Sequence, residues 1–390
     1  MKIINIIILF IFTLLLLTGC WDAVSIEERG FIIGSAIDID EKPDPDHPEL
    51  TLTNQMVLPS VIASTIQSGE GDQKPFINFT VKSKSTFNID EKIVSRSSKQ
   101  PFYEHLTVLV ISEEVAKTEK LLENLLDSYI RDVDFRHGTY VAVSKEKAKE
   151  TFEYTTDEEL LPVRHIEKII EQGSKQIGNI SPITIGDLEE FHLIGKSYVL
   201  PYLEINDFVE QKKGAVFHGN ENKMVGIFNE EEMQGLEFMK STQQLKLIEF
   251  TYEDKTIALK IFRLVNNITV DPSNLEDIKV KVEVHFEGTI KESFVQRDLT
   301  SSKEIESLQK AVAEHVKKSM EKAVAKGQGE YGADVFDVWK VMQMKHYDTW
   351  KDIKDDWEQG DYYFNNVTFE YEVIPQIYSV GTTNQTKEND

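Results

Sequence analysis

Cysteine is almost missing from this sequence. Among 390 residues there is one, Cys20, so neither an internal disulfide nor a cysteine metal cage can form. Catalytic signatures are missing too. None of the nine histidines sits in an H-E-x-x-H pattern, and there is no G-x-S-x-G elbow, no P-loop and no Rossmann fingerprint after a strand. Basic charge is scarce: 43 Lys and Arg face 67 Asp and Glu, a formal net charge of −24. Such a chain repels phosphate backbones, which argues against a nucleic-acid partner. Anionic headgroups repel it as well, so membrane attachment calls for an anchor rather than a basic patch. Beyond the first twenty residues there is no long apolar run, no internal repeat and no low-complexity tract.

What is present is a folded composition, 40% hydrophobic and 28% charged, over a length that suits two or three domains. Lys2 is the only charge before Asp22, and Ile3 to Leu17 is apolar except for Asn5 and Thr13. That run is shorter than the roughly 20 residues of a membrane span and fits the apolar region of a secretory signal. Leu17, Thr18, Gly19 and Cys20 follow it and resemble the bacterial lipobox. Small residues let the backbone enter the peptidase, and the cysteine thiolate is the nucleophile for diacylglycerol transfer. On this reading residues 1–19 are a cleaved signal and Cys20 carries a covalent diacylglycerol, the one prosthetic group expected. Two acyl chains, at about 0.8 kcal/mol per buried methylene, anchor stably. The competing reading is an ordinary signal or an uncleaved anchor with a chance cysteine.

The body reads as α+β, mixed and antiparallel sheets with packed helices, in three domains forming an elongated body. Residues 20–180 form the N-terminal α+β domain, 181–250 a middle α+β domain and 251–380 a C-terminal domain. Residues 381–390 are a polar tail. In the first domain, strands are expected at 30–40, 50–58, 76–81, 106–111 and 140–143, with an exposed loop at 65–75. Leu121, Leu122, Leu125, Leu126, Tyr129 and Ile130 share one helical face. In the second, a short helix is expected at 184–191, a strand at 198–205, and a hairpin around 219–222. Asn229 and Glu232 have the spacing of a capping box. In the third, Val280, Val282, Val284 and Phe286 alternate with polar residues, and so do Val367, Phe369, Tyr371 and Val373. Alternation predicts an antiparallel sheet with one wet face. Ser301 and Glu304 cap a helix expected over 303–326, which would cover the other face.

Acidic neighbours such as Glu189-Glu190, Asp355-Asp356 and Glu230-Glu231-Glu232 read as solvated faces. Asp38 and Asp40 end a strand without the spaced oxygens of a Ca²⁺ loop. His105 reads as structural. Two groups remain as possible partner contacts. Arg131, Asp132 and Arg136 make a charged corner, either a salt-bridged turn or a contact surface. Trp350 and Trp357 can share a helical face with Ile353 between them, either as packed core or as an exposed docking patch.

Across nearly its whole length the chain resembles the Ger(x)C lipoproteins, the C subunits of spore germinant receptors. The resemblance rests on Gly19-Cys20-Trp21-Asp22, Arg29-Gly30 and the strand ending at Asp38. It continues through Glu104-His105-Leu106, Ser112-Glu113-Glu114 and Arg131-Asp132 with Arg136. Gly214-Ala215-Val216-Phe217, Met224-Val225-Gly226 and Glu230-Glu231 fit, as do Ala333-Asp334-Val335-Phe336 and the Trp350, Trp357 pair. One departure is Asp337, where the family tends to carry Gly after Asp-x-Phe, which bears on the turn geometry there. The resemblance implies a three-domain α+β lipoprotein on the extracytoplasmic face of the spore inner membrane. It implies action with a membrane-embedded A subunit and a transporter-like B subunit, and no catalytic role. A lipid-anchored solute-binding protein is the alternative. It would require two α/β lobes of parallel strands, against the alternation at 279–287 and 367–373. A cell-wall enzyme finds no motif.

Overall fold

The computed structural model describes residues 3–5, 25–39, 48–68, 73–84, 88–131, 135–156, 158–173, 181–240, 246–295, 299, 301–360 and 362–379. Within them the first sheet contains β1 (Arg29–Ile39), β2 (Leu50–Val57), β3 (Phe76–Ser83), β4 (Gln100–Phe102) and β5 (Val108–Ser112). It continues with β6 (Tyr140–Ser144), β7 (Tyr198–Ile205), β8 (Val209–His218) and β9 (Lys223–Phe228). The helices among them are α1 (Pro59–Ser68), α2 (Asn88–Val94), α3 (Glu113–Lys117), α4 (Leu121–Arg131), α5 (Pro162–Gly173) and α6 (Ile185–Leu193).

The strand order is β3-β2-β1-β5-β6-β7-β8-β9, with β4 alongside the start of β1. The centre, β1-β5-β6-β7, is parallel and the flanks are antiparallel. A parallel centre must be covered on both faces, and the sequence of β5 shows how. Leu109 and Ile111 pack with the α4 leucines and with Ile185 and Leu188 of α6. Val108 and Val110 point the other way, into Phe152, Val163, Ile166 and Ile170. Each buried side chain of this size contributes about 1.5–3 kcal/mol.

Helix α5 was not expected, although its stripe Val163, Ile166, Ile170 has helical spacing and is fully buried. Residues 65–68, expected to begin a loop, instead complete α1. Pro59 stands at the first position of that helix, where its missing N–H costs nothing. The expected division near residue 180 does not separate two sheets, because β7, β8 and β9 extend the sheet begun by β1.

The second sheet has the order β10 (Lys246–Tyr252), β11 (Lys255–Asp271), β12 (Ile278–Ser293) and β13 (Val367–Ser379). Helix α7 (Glu230–Lys240) precedes it and α8 (Ser302–Gly329) lies across it. Val280, Val282, Val284 and Phe286 meet Leu308, Val312, Val316 and Met320 there. The fully antiparallel expectation is corrected in one place: β13 runs parallel to β12, with Ile278 opposite Val367. Alternation reports a half-buried strand, not its direction. The crossover through α8 returns the chain to the end from which β12 began. Val199, Val216 and Phe228 of the first sheet join the same core, so the two sheets share one apolar interior.

Helices α7 and α8 touch backbone to backbone at Gly235, where an added Cβ would lie 2.1 Å from the carbonyl oxygen of Ser319. Gly235→Ala is therefore expected to destabilise the protein by about 1–3 kcal/mol. Calorimetry measures this as a lower thermal midpoint. An unchanged midpoint would show that the helices can separate freely.

Candidate functional site

The junction between the sheets is built from the ends of β7 and β8 and the segment that follows α8. Two further helices lie in that segment, α9 (Val338–Lys345) and α10 (Tyr347–Ile353). Its centre is Asp334, which is fully buried. Asp334 Oδ1 accepts the backbone N–H of Phe336 and of Val338, each at 3.2 Å. Its Oδ2 accepts Trp339 N at 2.7 Å and the Trp357 indole N–H at 3.0 Å. Asp334 thereby satisfies the open N–H groups at the start of α9, a capping role taken from upstream of the usual cap position.

Glu358, also buried, ties this segment to the first sheet. One carboxylate oxygen accepts the Asp334 N–H, and the other accepts the Ser197 hydroxyl at 2.9 Å. Ser197 Oγ in turn accepts Gly219 N at 3.0 Å. His218 Nε2 lies 3.3 Å from the Glu358 carbonyl. A carbonyl only accepts, so that nitrogen carries the proton. Burial, and then the neighbouring charge of Asp334, push Glu358 up to about 8. Burial pushes Asp334 up to about 6, against N–H donors that favour its charged form. Burial holds His218 below its ordinary value.

Asp337 stands beside this pair with φ +62°, a left-handed conformation that Asp tolerates better than most residues with a side chain. This accounts for Asp where the resembling family tends to carry Gly. The side chain adds two ion pairs, to Lys196 at 3.0 Å and Lys240 at 3.2 Å. Burial opposes the charged form, but the two lysines outweigh it and pull Asp337 down to about 2. Lys196 also lies over the rings of Phe191 and Trp339, at 4.5 and 5.6 Å. Clefts of about 310 and 440 Å³ meet at this lysine.

Trp350 and Trp357 are corrected as partner contacts. They are 9% and 3% exposed, with ring centroids 5.5 Å apart. Trp339 and Phe364 extend the stack. They meet as core, but not on one helical face: α10 ends at Ile353 and Trp357 lies beyond the 3-10 turn Lys354–Asp356. Of the charged corner, Arg131 is exposed at the end of α4 and pairs with Asp127 at 2.7 Å. Arg136 is exposed. Asp132 and Cys20 lie outside the described residues. The polar junction had no readable signal. Asp334 belongs to a motif quoted above but with no role attached, and Ser197 and Glu358 are 161 positions apart.

Two family models divide the chain. One, "Spore germination protein N-terminal domain", matches residues 22–205. The other, "Spore germination B3/ GerAC like, C-terminal", matches 212–381. The chain belongs to the Ger(x)C family of spore germination proteins. Its role is of the germinant-receptor type. Among its Ger(x)C relatives in Bacillus subtilis strain 168, spore germination protein YndF is 25% identical over 385 residues, 94% of each chain. Spore germination protein B3 is 25% identical over 379 residues, 95% of this chain and 96% of that protein. The crystal structure of the GerBC protein superposes with a TM-score of 0.60 at 19% identity, covering 90% of this chain and 99% of the other. The shared fold is thus that of a Ger(x)C protein. The first match ends with β7 and the second begins within β8, so the two regions part inside one sheet. Among the described residues no helix is long and apolar enough to cross a membrane.

Proposed function

We propose that this Ger(x)C chain is the lipid-anchored C subunit of a spore nutrient germinant receptor. Diacylglycerol on Cys20 holds it on the extracytoplasmic face of the spore inner membrane, where it assembles with the membrane-embedded A and B subunits. It contributes a scaffold rather than catalysis. The observation that carries this reading is the family match over residues 22–205 and 212–381, which begins two residues after a lipobox cysteine. The junction is consistent with a scaffold, since the buried carboxylates of Asp334 and Glu358 are taken up by hydrogen bonds within the protein. Spores carrying Cys20→Ala are expected to lose most of their nutrient response, like spores lacking the gene, while a receptor-independent trigger still germinates them. A normal nutrient response in both strains, with no sister receptor present, would overturn the reading.

A further inference from the structure

The second sheet has an outer edge that is closed at both ends and open between them. Strand β13 pairs with β12 on one side, in register from Ile278 opposite Val367 to Gly288 opposite Ile377. On its other side it meets no strand among the described residues. Helix α8 reaches that side twice. Gln328 Nε2 donates to the carbonyls of Val367 and Phe364, at 2.8 and 2.7 Å. Gln309 Oε1 accepts the Ile377 N–H at 3.2 Å. These bonds fix which backbone groups face outward. In a strand the N–H and C=O of one residue point to the same side, and successive residues alternate. Val367 and Ile377 therefore place Phe369, Tyr371, Val373 and Pro375 on the outer side with them. Pro375 agrees, since the N–H it lacks is one that β12 would not use. Between the two glutamines stand the outer N–H and C=O groups of Phe369, Tyr371 and Val373 and the Pro375 carbonyl. No hydrogen bond among the described residues takes them. Phe369, Tyr371 and Val373 turn half-buried side chains toward the core, while Glu370 and Glu372 are exposed on the opposite face. There Glu372 meets Lys281 at 2.7 Å.

We propose that this edge of β13 is a strand-addition site, filled by an extended basic segment of a different protein as a fifth strand on the four-stranded sheet. A row of alternating donors and acceptors is met in full by another extended backbone. A second copy of this chain is the wrong occupant. An antiparallel pair that uses Phe369, Tyr371 and Val373 of both copies sets Tyr371 opposite itself and Glu370 opposite Glu372 on both sides of it. Like charges facing across a ladder destabilise it, here between chains that each carry a net charge of −24. Lys or Arg at those positions of the incoming strand turns both clashes into ion pairs. Apolar residues between them would cover the stacked rings of Phe369 and Tyr371, whose centroids are 6.3 Å apart. The inference goes beyond the receptor-subunit reading and does not depend on the lipid anchor.

The test is hydrogen exchange on the full chain, alone and with the peptide Thr-Val-Lys-Val-Lys-Val-Thr, which sets Lys opposite Glu370 and Glu372 in the antiparallel register. Mass spectrometry with electron-transfer fragmentation resolves single amides. In the free chain the amides of Phe369, Tyr371 and Val373 should exchange quickly, and those of Glu370 and Glu372, which face β12, slowly. Saturating peptide is expected to slow the outer amides about tenfold or more. Glu370→Lys should weaken binding of this peptide about tenfold and strengthen binding of the charge-reversed peptide Thr-Val-Glu-Val-Glu-Val-Thr. Val373→Pro removes an outer N–H and leaves the β12 ladder intact, so it should abolish binding while the Glu370 and Glu372 amides stay slow. Outer amides that already exchange slowly in the free chain would show the edge to be covered and overturn the proposal. Protection that grows with protein concentration without peptide would assign the edge to a second copy and overturn it as well. So would outer amides unchanged at millimolar peptide, since the peptide supplies both the backbone and the charge that the site requires.

Discussion

Asp334→Ala is expected to lower the stability of the protein by about 4 kcal/mol. Four N–H donors, from Phe336, Val338, Trp339 and the Trp357 indole, converge on this carboxylate. Alanine leaves all four in a site with no solvent exposure. A buried donor without a partner costs roughly 1–3 kcal/mol, and relaxation toward water recovers part of the sum. Asp334→Asn keeps one acceptor oxygen and turns a donor toward the remaining N–H groups, so it should recover less than half of the loss. Urea unfolding followed by tryptophan fluorescence measures both, since Trp339, Trp350 and Trp357 report on this segment. A loss under about 1 kcal/mol for the alanine variant would show that the N–H groups find other partners. Spores carrying the variant should also respond poorly to nutrients, because the loosened segment joins the two sheets.

The second large effect is a pH dependence centred on Glu358. Its folded-state value, about 8, lies above the ordinary value of a free carboxyl, about 4.3. Between those two limits the folded chain holds a proton that the unfolded chain has released. Stability therefore falls as pH rises through the window, and the full penalty is present above about 8. Asp334, raised to about 6, acts in the same direction over a lower and narrower window. Asp337, pulled down by Lys240 and Lys196, acts in the opposite direction: its stabilisation is full above the ordinary carboxylate value and disappears only in acid. The groups facing Glu358 are Asp334 on its own segment and Ser197 and His218 from the first sheet. His218 is held neutral by burial and contributes no charge near neutral pH. The slope expected from Glu358 is at most about 1.4 kcal/mol per pH unit, or some 2–3 kcal/mol between pH 6 and 8. Glu358→Gln keeps the acceptor for Asp334 N–H and removes the titration. Its thermal midpoint should hold steady where that of the parent drops, and it should exceed the parent above pH 8. Parallel pH curves for the two proteins would show that Glu358 ionises freely and that the junction is wetter than its burial indicates.

Much of the fold was legible wherever a local period or cap encodes it. The alternation at 280–286 became β12, and the apolar steps from Ile305 to Val324 became α8, observed over 302–329. Thr184 and Asp187 form a full capping box at the start of α6, beside the expected helix start. Asn229 and Glu232 exchange both bonds of theirs, at 2.7 and 3.0 Å. Ser301 caps α8, but Glu304 turns away to accept the Tyr252 hydroxyl at 3.1 Å. There a tertiary partner competed with the local one. Helix α5 carries its apolar stripe, Val163, Ile166 and Ile170, among polar residues that mask the period.

What the sequence by itself determined was whatever depends on neighbours along the chain. That covers the strand and helix periods, the caps, the single cysteine and the net charge. The resemblance to the Ger(x)C family was legible for the same reason, since its motifs are short local strings. Only the tertiary structure decided which groups meet across distance. It joined β7, β8 and β9 to the first sheet, set β13 parallel to β12, and buried Trp350 between Trp339 and Trp357. It also placed Glu358 between Asp334 and Ser197. Periodicity says that a side chain is buried, but not against what. The pairing of distant carboxylates, hydroxyls and indoles is set by how the two sheets pack, and no local pattern carries that information.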